Sequence, residues 1–203
     1  MTLKIKDPVF LRSVTNLTQA PEALPAVAFA GRSNVGKSSL LNKLLGGRKL
    51  ARTSSIPGCT QLLNYFGIDG LYHFIDLPGY GYAKAPRKEQ VKWAPMIEHF
   101  FLGAKALRLV VLLVDVRRDP SPEDLSMVNW LEAAKRPFIF AVTKIDKVTR
   151  NERHRRLIAL QKAFGLDDAT ALIPVSAHTG EGMDDLLDVI EEVLAVAAPD
   201  QEP

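Results

Sequence analysis

Residues 26–38 read AVAFAGRSNVGKS, and they give the clearest indication of the fold. A strand-like run from Ala26 to Ala30 is followed by the pattern glycine, four residues, glycine, lysine, serine, from Gly31 to Ser38. In this pattern backbone N–H groups turn inward around phosphate, and the helix that begins there points its positive end at the anion. A glycine-rich turn without a ligand is the alternative, and the position between a strand and a helix disfavours it. The sequence therefore predicts a phosphate-binding loop.

Two side chains of this loop have predicted roles. We expect Lys37 to reach the terminal phosphates and Ser38 to offer an oxygen to Mg²⁺. The residues of the loop predicted to bind nucleotide are Gly31, Arg32, Ser33, Asn34, Val35, Gly36, Lys37, Ser38 and Ser39.

A second loop, Asp76-Leu77-Pro78-Gly79, follows another apolar strand. Open α/β sheets bind ligands at the carboxyl ends of their strands, where this carboxylate stands. We expect Asp76 to hold Mg²⁺ through a water and the Gly79 N–H to meet the γ-phosphate, so that the loop senses this phosphate. Alone, Asp-x-x-Gly is a common turn, but its distance from the phosphate loop favours the nucleotide site.

The choice of base is predicted from Thr143-Lys144-Ile145-Asp146, at the end of a further apolar strand. This segment resembles the Asn-Lys-x-Asp motif of GTPases, with threonine in place of asparagine. The Asp146 carboxylate can accept two hydrogen bonds, from guanine N1–H and the exocyclic amine, which adenine does not offer. Guanine is the expected base, and a lysine and an aspartate that cap the next helix are the alternative. Ser176-Ala177, after the last strand, resembles the fifth GTPase motif, whose backbone N–H meets guanine O6. Val175, Ser176 and Ala177 are the residues predicted to bind nucleotide here.

The first switch of such a site is assigned to the polar stretch from Arg48 to Thr60, just before the strand that begins at Leu62. Thr60 is the candidate whose hydroxyl completes Mg²⁺ coordination once the γ-phosphate is bound, and a plain turn at Pro57-Gly58 is the alternative. Residues at or just after the end of this stretch that are predicted to contact nucleotide are Gly58, Cys59, Thr60, Gln61 and Leu62. The predicted catalytic residues are Lys37, Thr60 and Gly79, and the predicted Mg²⁺ ligands are Ser38, Thr60 and Asp76.

Composition and patterning predict a single α/β domain. The 203 residues carry a formal net charge of +3, and apolar strand-like runs alternate with segments of helical period. We expect a P-loop GTPase domain (G domain) over residues 25–196, with an N-terminal arm at 1–24 and a tail at 197–203. Its sheet is expected to be mostly parallel and six-stranded, with one antiparallel edge strand and helices on both faces. The single cysteine, Cys59, and the lack of a secretory or membrane-length apolar run predict a cytoplasmic protein with no membrane partner.

The apolar pattern also gives bounds for the elements. The predicted strands are Ala26 to Ala30, Leu62 to Ile68, Leu71 to Asp76, Leu109 to Asp115, Phe138 to Thr143 and Ala171 to Val175, and Gly70 closes a hairpin. Ser121 and Thr149 open helices as N-caps. Two apolar stripes indicate helices: Leu40, Leu41, Leu44 and Leu45, ended by Gly46-Gly47, and Met183, Leu186, Leu187, Ile190, Val193 and Leu194.

With these motifs in order, residues 5–195 resemble the EngB (YihA/YsxC) family of bacterial GTPases, in the TrmE-Era-EngA-EngB-septin-like class. The motif most specific to this family is residues 76–83, DLPGYGYA, followed by Trp93. Residues 31–42 (GRSNVGKSSLLN) and 57–61 (PGCTQ) also match. The chain departs from the family at Cys59, where a basic residue is usual, and at Ile145, where alanine is usual. Neither position requires an essential side chain at the nucleotide.

The resemblance implies hydrolysis of GTP to GDP with Mg²⁺, a role in assembly of the large (50S) ribosomal subunit, and a link to division septum formation. Its implied partners are GTP, GDP, the large-subunit precursor and its rRNA, and we expect a monomer. Relatives use the asparagine that Asn34 matches to hold K⁺, and a turn-forming asparagine is the alternative. Tyr80 stands where Ras-like GTPases carry the glutamine that orients the attacking water, so intrinsic hydrolysis is expected to be slow.

Basic residues gather in three clusters, two in the predicted switches and one on a later helix: Arg48, Lys49 and Arg52; Lys84, Arg87, Lys88 and Lys92; and Arg150, Arg153, Arg155 and Arg156. RNA phosphate is a natural partner for them, although solvated helix faces are equally rich in such residues. Two other functions stay open. One is a metabolic P-loop kinase or ATPase, which Asp146 opposes, and the other is a scaffold for septum proteins that keeps nucleotide for stability.

Overall fold

The computed structural model describes residues 4–51, 62–81 and 87–195. Within these residues the strands are β1 (Pro8–Val14), β2 (Ala26–Gly31), β3 (Leu63–Ile68), β4 (Tyr72–Asp76), β5 (Leu107–Asp115), β6 (Phe138–Thr143) and β7 (Leu172–Pro174). The helices are α1 (Lys37–Leu44), α2 (Arg87–Gly103), α3 (Pro122–Ala133), α4 (Arg150–Ala163) and α5 (Met183–Ala195). No helix of the described ranges is both long and apolar enough to span a membrane.

The seven strands of the described residues form one mixed sheet in the order β1-β3-β4-β2-β5-β6-β7. From β4 to β7 along this order all neighbours are parallel, whereas β3 is antiparallel to both of its neighbours. The β3–β4 hairpin turns at Asp69 and Gly70, whose φ values are 52° and 70°. The predicted α/β fold and the predicted hairpin are confirmed.

The expected six-stranded sheet is wrong in its count, because residues 8–14 of the predicted arm form an edge strand on β3. The antiparallel strand is β3, which lies second from the edge. The Asp69 carboxylate accepts hydrogen bonds from the backbone N–H groups of Lys6 (3.1 Å) and Asp7 (2.6 Å), which fixes the start of β1. Five of the seven residues of β1 are exposed, so the strand lacks the alternating pattern that a sequence shows for a half-buried strand.

The core lies on both faces of the sheet, and β2 shows how. Its alanines, Ala26, Ala28 and Ala30, face the helical layer of α2, α3 and α4. Val27 and Phe29 point to the other face, where α1 and α5 pack. Both side chains are fully buried, and burial of a residue of this size contributes about 1.5–3 kcal/mol. The strand order places β2 in the centre of the sheet, and the phosphate loop begins at its C-terminal end.

The predicted helix starts are confirmed. Ser121 caps α3 in a capping box with Asp124, and Thr149 caps α4 by accepting from the Glu152 N–H. The stripes of α1 and α5 face the core, as expected. The helix α2 was not predicted, and it contains Pro95, a residue that ordinarily argues against a helix interior.

Candidate nucleotide-binding site

The phosphate loop joins β2 to α1. Gly36 has a φ of 110° and Asn34 one of 65°, so the turn depends on conformations that most side chains avoid. A Cβ at Gly31 would lie 2.9 Å from Val35 Cγ1, so packing requires glycine there. Within the described ranges α1 begins with no side-chain cap and no acidic residue in its first turn. A helix N-terminus of this kind suits an anion.

Lys37 and Asp76 meet at the head of α1. The Lys37 ammonium forms an ion pair with Asp76 Oδ1, and Asn64 Nδ2 donates to Asp76 Oδ2 at 3.3 Å. The side chains of Lys37 and Asp76 are only 11% and 9% exposed, so the carboxylate is held in place in a partly dry environment. The structure thus places the lysine predicted to bind phosphate beside the carboxylate at the end of β4.

The Asp76–Gly79 loop runs beside the phosphate loop. The Ser33 N–H donates to the Tyr80 carbonyl at 2.8 Å, and the Tyr80 N–H donates to the Gly31 carbonyl at 3.3 Å. A Cβ at Gly79 would lie 3.2 Å from Ser33 Oγ, so glycine permits this close approach. The Asp76–Gly79 loop is therefore in direct contact with the phosphate loop.

The base-reading loop is tied to the phosphate loop by two successive residues. Thr143 Oγ1 lies 2.8 Å from the Val35 carbonyl and 3.1 Å from the Val114 carbonyl. Lys144, with a φ of 61°, donates from Nζ to the Asn34 carbonyl at 2.6 Å. The threonine that replaces the usual asparagine thus holds the phosphate loop through its hydroxyl.

Asp146 is oriented by the last loop of the site. Its Oδ1 accepts from Ser176 Oγ at 2.7 Å, and Lys147 Nζ lies 3.1 Å from Oδ2. The hydrogen bond from Ser176 lowers the pKa of the Asp146 carboxyl, so the group is an anion that can accept from guanine. Ser176 is fully buried and its hydroxyl also accepts from the Thr179 N–H at 3.1 Å. The serine of the fifth motif therefore positions the carboxylate that is predicted to read the base.

The structure places most predicted residues at one edge of the sheet. The loops from Gly31 to Ser39, Asp76 to Gly79, Thr143 to Asp146 and Val175 to Ala177 follow β2, β4, β6 and β7. Leu62 is half-buried just before β3. Gly58, Cys59, Thr60 and Gln61 lie outside the described residues, and their roles stay predictions.

Two polar groups of the site were not singled out from the sequence. Asn64 contacts Asp76 across the hairpin, and Asp115, at the end of β5, pairs with Lys144 Nζ at 3.0 Å. Burial would raise the pKa of the Asp115 carboxyl, but hydrogen bonds from Arg117 and Lys144 hold it well below its usual range. Asp115 ends a strand at the same edge as Asp76, which was the available signal.

Comparison with known proteins agrees with this geometry. A family model described as 50S ribosome-binding GTPase matches residues 26–144, and one described as the GTP-binding domain of elongation factor Tu matches residues 96–196. The probable GTP-binding protein EngB of Trichlorobacter lovleyi is 44% identical over 97% of this chain and 100% of its own length. A Streptococcus pneumoniae protein of the same name is 44% identical over 96% of this chain and 100% of its own.

Solved structures show the same likeness. The crystal structure of a probable GTP-binding protein EngB has a TM-score of 0.71 and 30% identity, covering 84% of this chain and 99% of that one. Aquifex aeolicus Era bound to GDP and AlF₄⁻ has a TM-score of 0.65 and 28% identity, covering 89% of this chain and 59% of that one. On the family model, the full-length relatives and the site together, this chain belongs to the EngB family of GTP-binding proteins, within the P-loop GTPases.

Proposed function

We propose that this chain is a GTP-operated switch in assembly of the large ribosomal subunit, and that it hydrolyses GTP to GDP slowly with Mg²⁺. The observation that carries the proposal is the match of residues 26–144 to the 50S ribosome-binding GTPase family. The preassembled phosphate and base-reading loops support it, because they fit a guanine nucleotide at the edge of the sheet. A P-loop kinase or ATPase is disfavoured by Asp146, and competition between GTP and ATP tests that alternative.

The donor set at the head of α1 fits Mg²⁺. Ser38 offers a hydroxyl and Asp76 a buried carboxylate, and oxygen ligands of this kind are the ones Mg²⁺ prefers. The Asp76 carboxylate is already balanced by the Lys37 ammonium, which shows that this position accommodates positive charge. Thr60 is the proposed further ligand, and Asp76 acts through a water. When bound, Mg²⁺ neutralises charge that develops on the phosphates.

The remaining proposed roles follow from placement in the loops. Lys37 binds the terminal phosphates, and the Gly79 N–H binds the γ-phosphate and reports its presence through the contacts of its loop with Ser33. Asp146 selects guanine. Thr60 belongs to the first switch, and with Lys37 and Gly79 it completes the proposed catalytic set.

Hydrolysis is proposed to be slow because of Tyr80. The phenol is 4% exposed and donates to Asp124 Oδ1 at 2.8 Å, so it is engaged with α3 and lacks the amide that orients water. A K⁺ ion at Asn34 is the proposed aid to hydrolysis. The Asn34 backbone is left-handed, and asparagine tolerates this conformation in turns, so exchange of K⁺ for Na⁺ is the test of that role.

The switches are the proposed RNA-binding surface, in preference to α4. Arg153 pairs with Glu181, and Arg156 donates to the Val116 carbonyl and pairs with Asp119. Two of the four arginines of α4 are thus already paired with other groups of the protein. In the first-switch cluster Arg48 is 53% exposed and pairs at 3.5 Å with Asp7, a long and exposed contact that adds little stability.

Sedimentation with large-subunit particles in a sucrose gradient tests the proposal. We expect tighter binding with a non-hydrolysable GTP analogue than with GDP, by a factor within the usual coupling range of about 1–3 kcal/mol, and a steep loss with salt. Reversal of Lys84, Arg87 and Lys88 to glutamate should remove the nucleotide dependence and leave GTP binding intact. Lys84 and the side chains of Arg87 and Lys88 lie outside the described part of the structure.

The matched control reverses Arg150 and Arg155 on α4, which are exposed. Loss of binding in this control, with none in the triple variant, would place RNA on α4. Binding to large-subunit particles that does not change with the nucleotide, with salt or with either set of reversals would refute the ribosomal role and favour a scaffold for septum proteins. The link to the septum is a proposal that rests on the family resemblance, and the monomeric state is likewise a proposal. The proposed cytoplasmic location rests on the single cysteine and on the apolar pattern of the sequence.

A further inference from the structure

Asp115 is a buried carboxylate between two cations. It ends β5 and its side chain is 6% exposed. The Arg117 guanidinium makes two hydrogen bonds to it, from Nε to Oδ1 at 2.9 Å and from Nη2 to Oδ2 at 2.7 Å. The Arg117 backbone N–H donates to Oδ1 at 3.1 Å. Lys144 Nζ also lies 3.0 Å from Oδ2. A carboxylate with this many donors has a fixed position.

Lys144 reaches from the base-reading loop to the phosphate loop. Its Nζ donates to the Asn34 carbonyl at 2.6 Å, and its Cε lies 3.7 Å from the place of a Cβ at Gly36. Among the described residues Asp115 is the only carboxylate paired with this ammonium. The Lys144 ammonium therefore contacts two acceptors at once, the Asn34 carbonyl and the Asp115 carboxylate.

We propose that Asp115 is a positioning residue for nucleotide binding: it holds the Lys144 ammonium against the phosphate loop and so fixes the base-reading loop relative to the phosphate loop. The inference rests on the GTP-binding activity of the family and concerns a residue outside the nucleotide motifs. Asp115 acts through Lys144, and it sets the affinity for the nucleotide without selecting the base, because Asp146 carries the base contacts.

The roles of the two partners of Asp115 are separable. Arg117 is 42% exposed and holds the carboxylate from the solvent side, whereas Lys144 carries the contact to the phosphate loop. Arg117→Ala leaves the Asp115–Lys144 pair in place, and we expect it to change GDP affinity by less than about threefold. Asp115→Asn removes the charge that holds the ammonium, and we expect it to weaken GDP binding about tenfold, equivalent to about 1.4 kcal/mol.

Titration with fluorescent GDP and stopped-flow dissociation test these expectations. The loss in Asp115→Asn should lie mainly in faster dissociation. Asp119→Asn is the matched control: it makes the same chemical change in the loop that follows β5, but Asp119 is 84% exposed and pairs with Arg156 instead. We expect this control to keep the wild-type affinity within about twofold. Unchanged GDP binding in Asp115→Asn would overturn the proposal.

Two further measurements separate positioning from a general effect on folding. In a double-mutant cycle with Lys144→Met, the effect of Asp115→Asn on GDP binding should fall below about twofold, because the ammonium it positions is gone. An equal effect in both backgrounds would refute the proposal. Asp115→Asn should also weaken GDP and IDP binding by the same factor, a readout that does not depend on Lys144→Met. A changed GDP-to-IDP ratio would assign Asp115 to base selection and contradict the positioning role.

Discussion

Replacing Tyr80 by phenylalanine tests whether the phenol anchors its loop to α3. The hydroxyl donates to Asp124 Oδ1 at 2.8 Å, and both residues are 4% exposed. Asp124 Oδ2 accepts from the Ser121 N–H at 2.8 Å and from Ser121 Oγ at 2.9 Å. Burial, and then the Asp124 carboxylate, raises the pKa of Tyr80 well above its ordinary value, so the phenol remains a donor.

The expected cost follows from the charge and burial of the acceptor. A hydrogen bond to a charged group contributes about 1.5–3 kcal/mol, against about 0.5–1.5 kcal/mol for a neutral pair. Tyr80→Phe keeps the ring in the core and removes only the donor, so we expect the free energy of unfolding to fall by about 1.5–3 kcal/mol. For a chain of this size such a loss lowers Tm by about 3–12 °C.

Urea unfolding of the nucleotide-free protein measures the loss, and Tyr72→Phe is the control. Tyr72 is half-buried, and its hydroxyl has no hydrogen-bond partner within the described residues, so we expect a change below about 0.5 kcal/mol. Equal stability of Tyr80→Phe and wild type would show that the contact with Asp124 does not anchor the loop. The same variant should keep the slow basal hydrolysis rate within about threefold, under roughly 1 kcal/mol in barrier. A collapse of that rate would instead make Tyr80 catalytic.

Two other predictions concern the base and pH. Asp146→Asn should weaken GTP binding by a factor on the order of 10² and partly restore binding of xanthosine nucleotide, because each lost charge-assisted bond contributes about 1.5–3 kcal/mol; unchanged affinity in a competition titration would remove Asp146 from base reading. Burial lowers the pKa of His73 in the folded protein, so this side chain binds a proton at a higher pH in the unfolded chain than in the folded one. The free energy of unfolding should therefore fall as the pH drops through about 6.5. In His73→Phe the urea unfolding midpoint should change less between pH 7 and pH 5 than in the wild type. An equal change in both proteins would assign the pH dependence to other groups.

The loops of the site could be predicted because their signals are local. The phosphate loop is specified within eight residues by glycine positions and by the strand and helix around it, and its geometry follows from backbone conformation. Asp76 ends an apolar strand and Asp146 lies three residues after the end of another, and parallel topology brings such ends to one edge. The same reasoning did not reach β1, whose residues are exposed at the sheet edge and take their structure from pairing with β3.

Contacts between distant residues could not be predicted in the same way. Tyr80 and Asp124 are 44 residues apart, and nothing in either segment marks the other as its partner. Asp115 has the same local pattern as Asp76, a carboxylate after an apolar run, but no glycine follows it at motif spacing. Its partner Lys144 becomes evident only when β5 and β6 lie side by side, with Asp115 opposite Thr143.

The threonine of the base-reading loop shows how the two loops become one unit. Thr143 Oγ1 has a single hydrogen, and two carbonyl oxygens lie within reach of it, at 2.8 Å on Val35 and 3.1 Å on Val114. An asparagine amide has two N–H donors and could serve both fully, so threonine makes a weaker connection. The next residue adds a second one, because Lys144 donates to the Asn34 carbonyl. Consecutive residues of one loop thus hold consecutive carbonyls of the other, and the base site cannot move away from the phosphate site unless both contacts break. This is why the effect of Asp115, which restrains Lys144, is expected on nucleotide affinity as a whole.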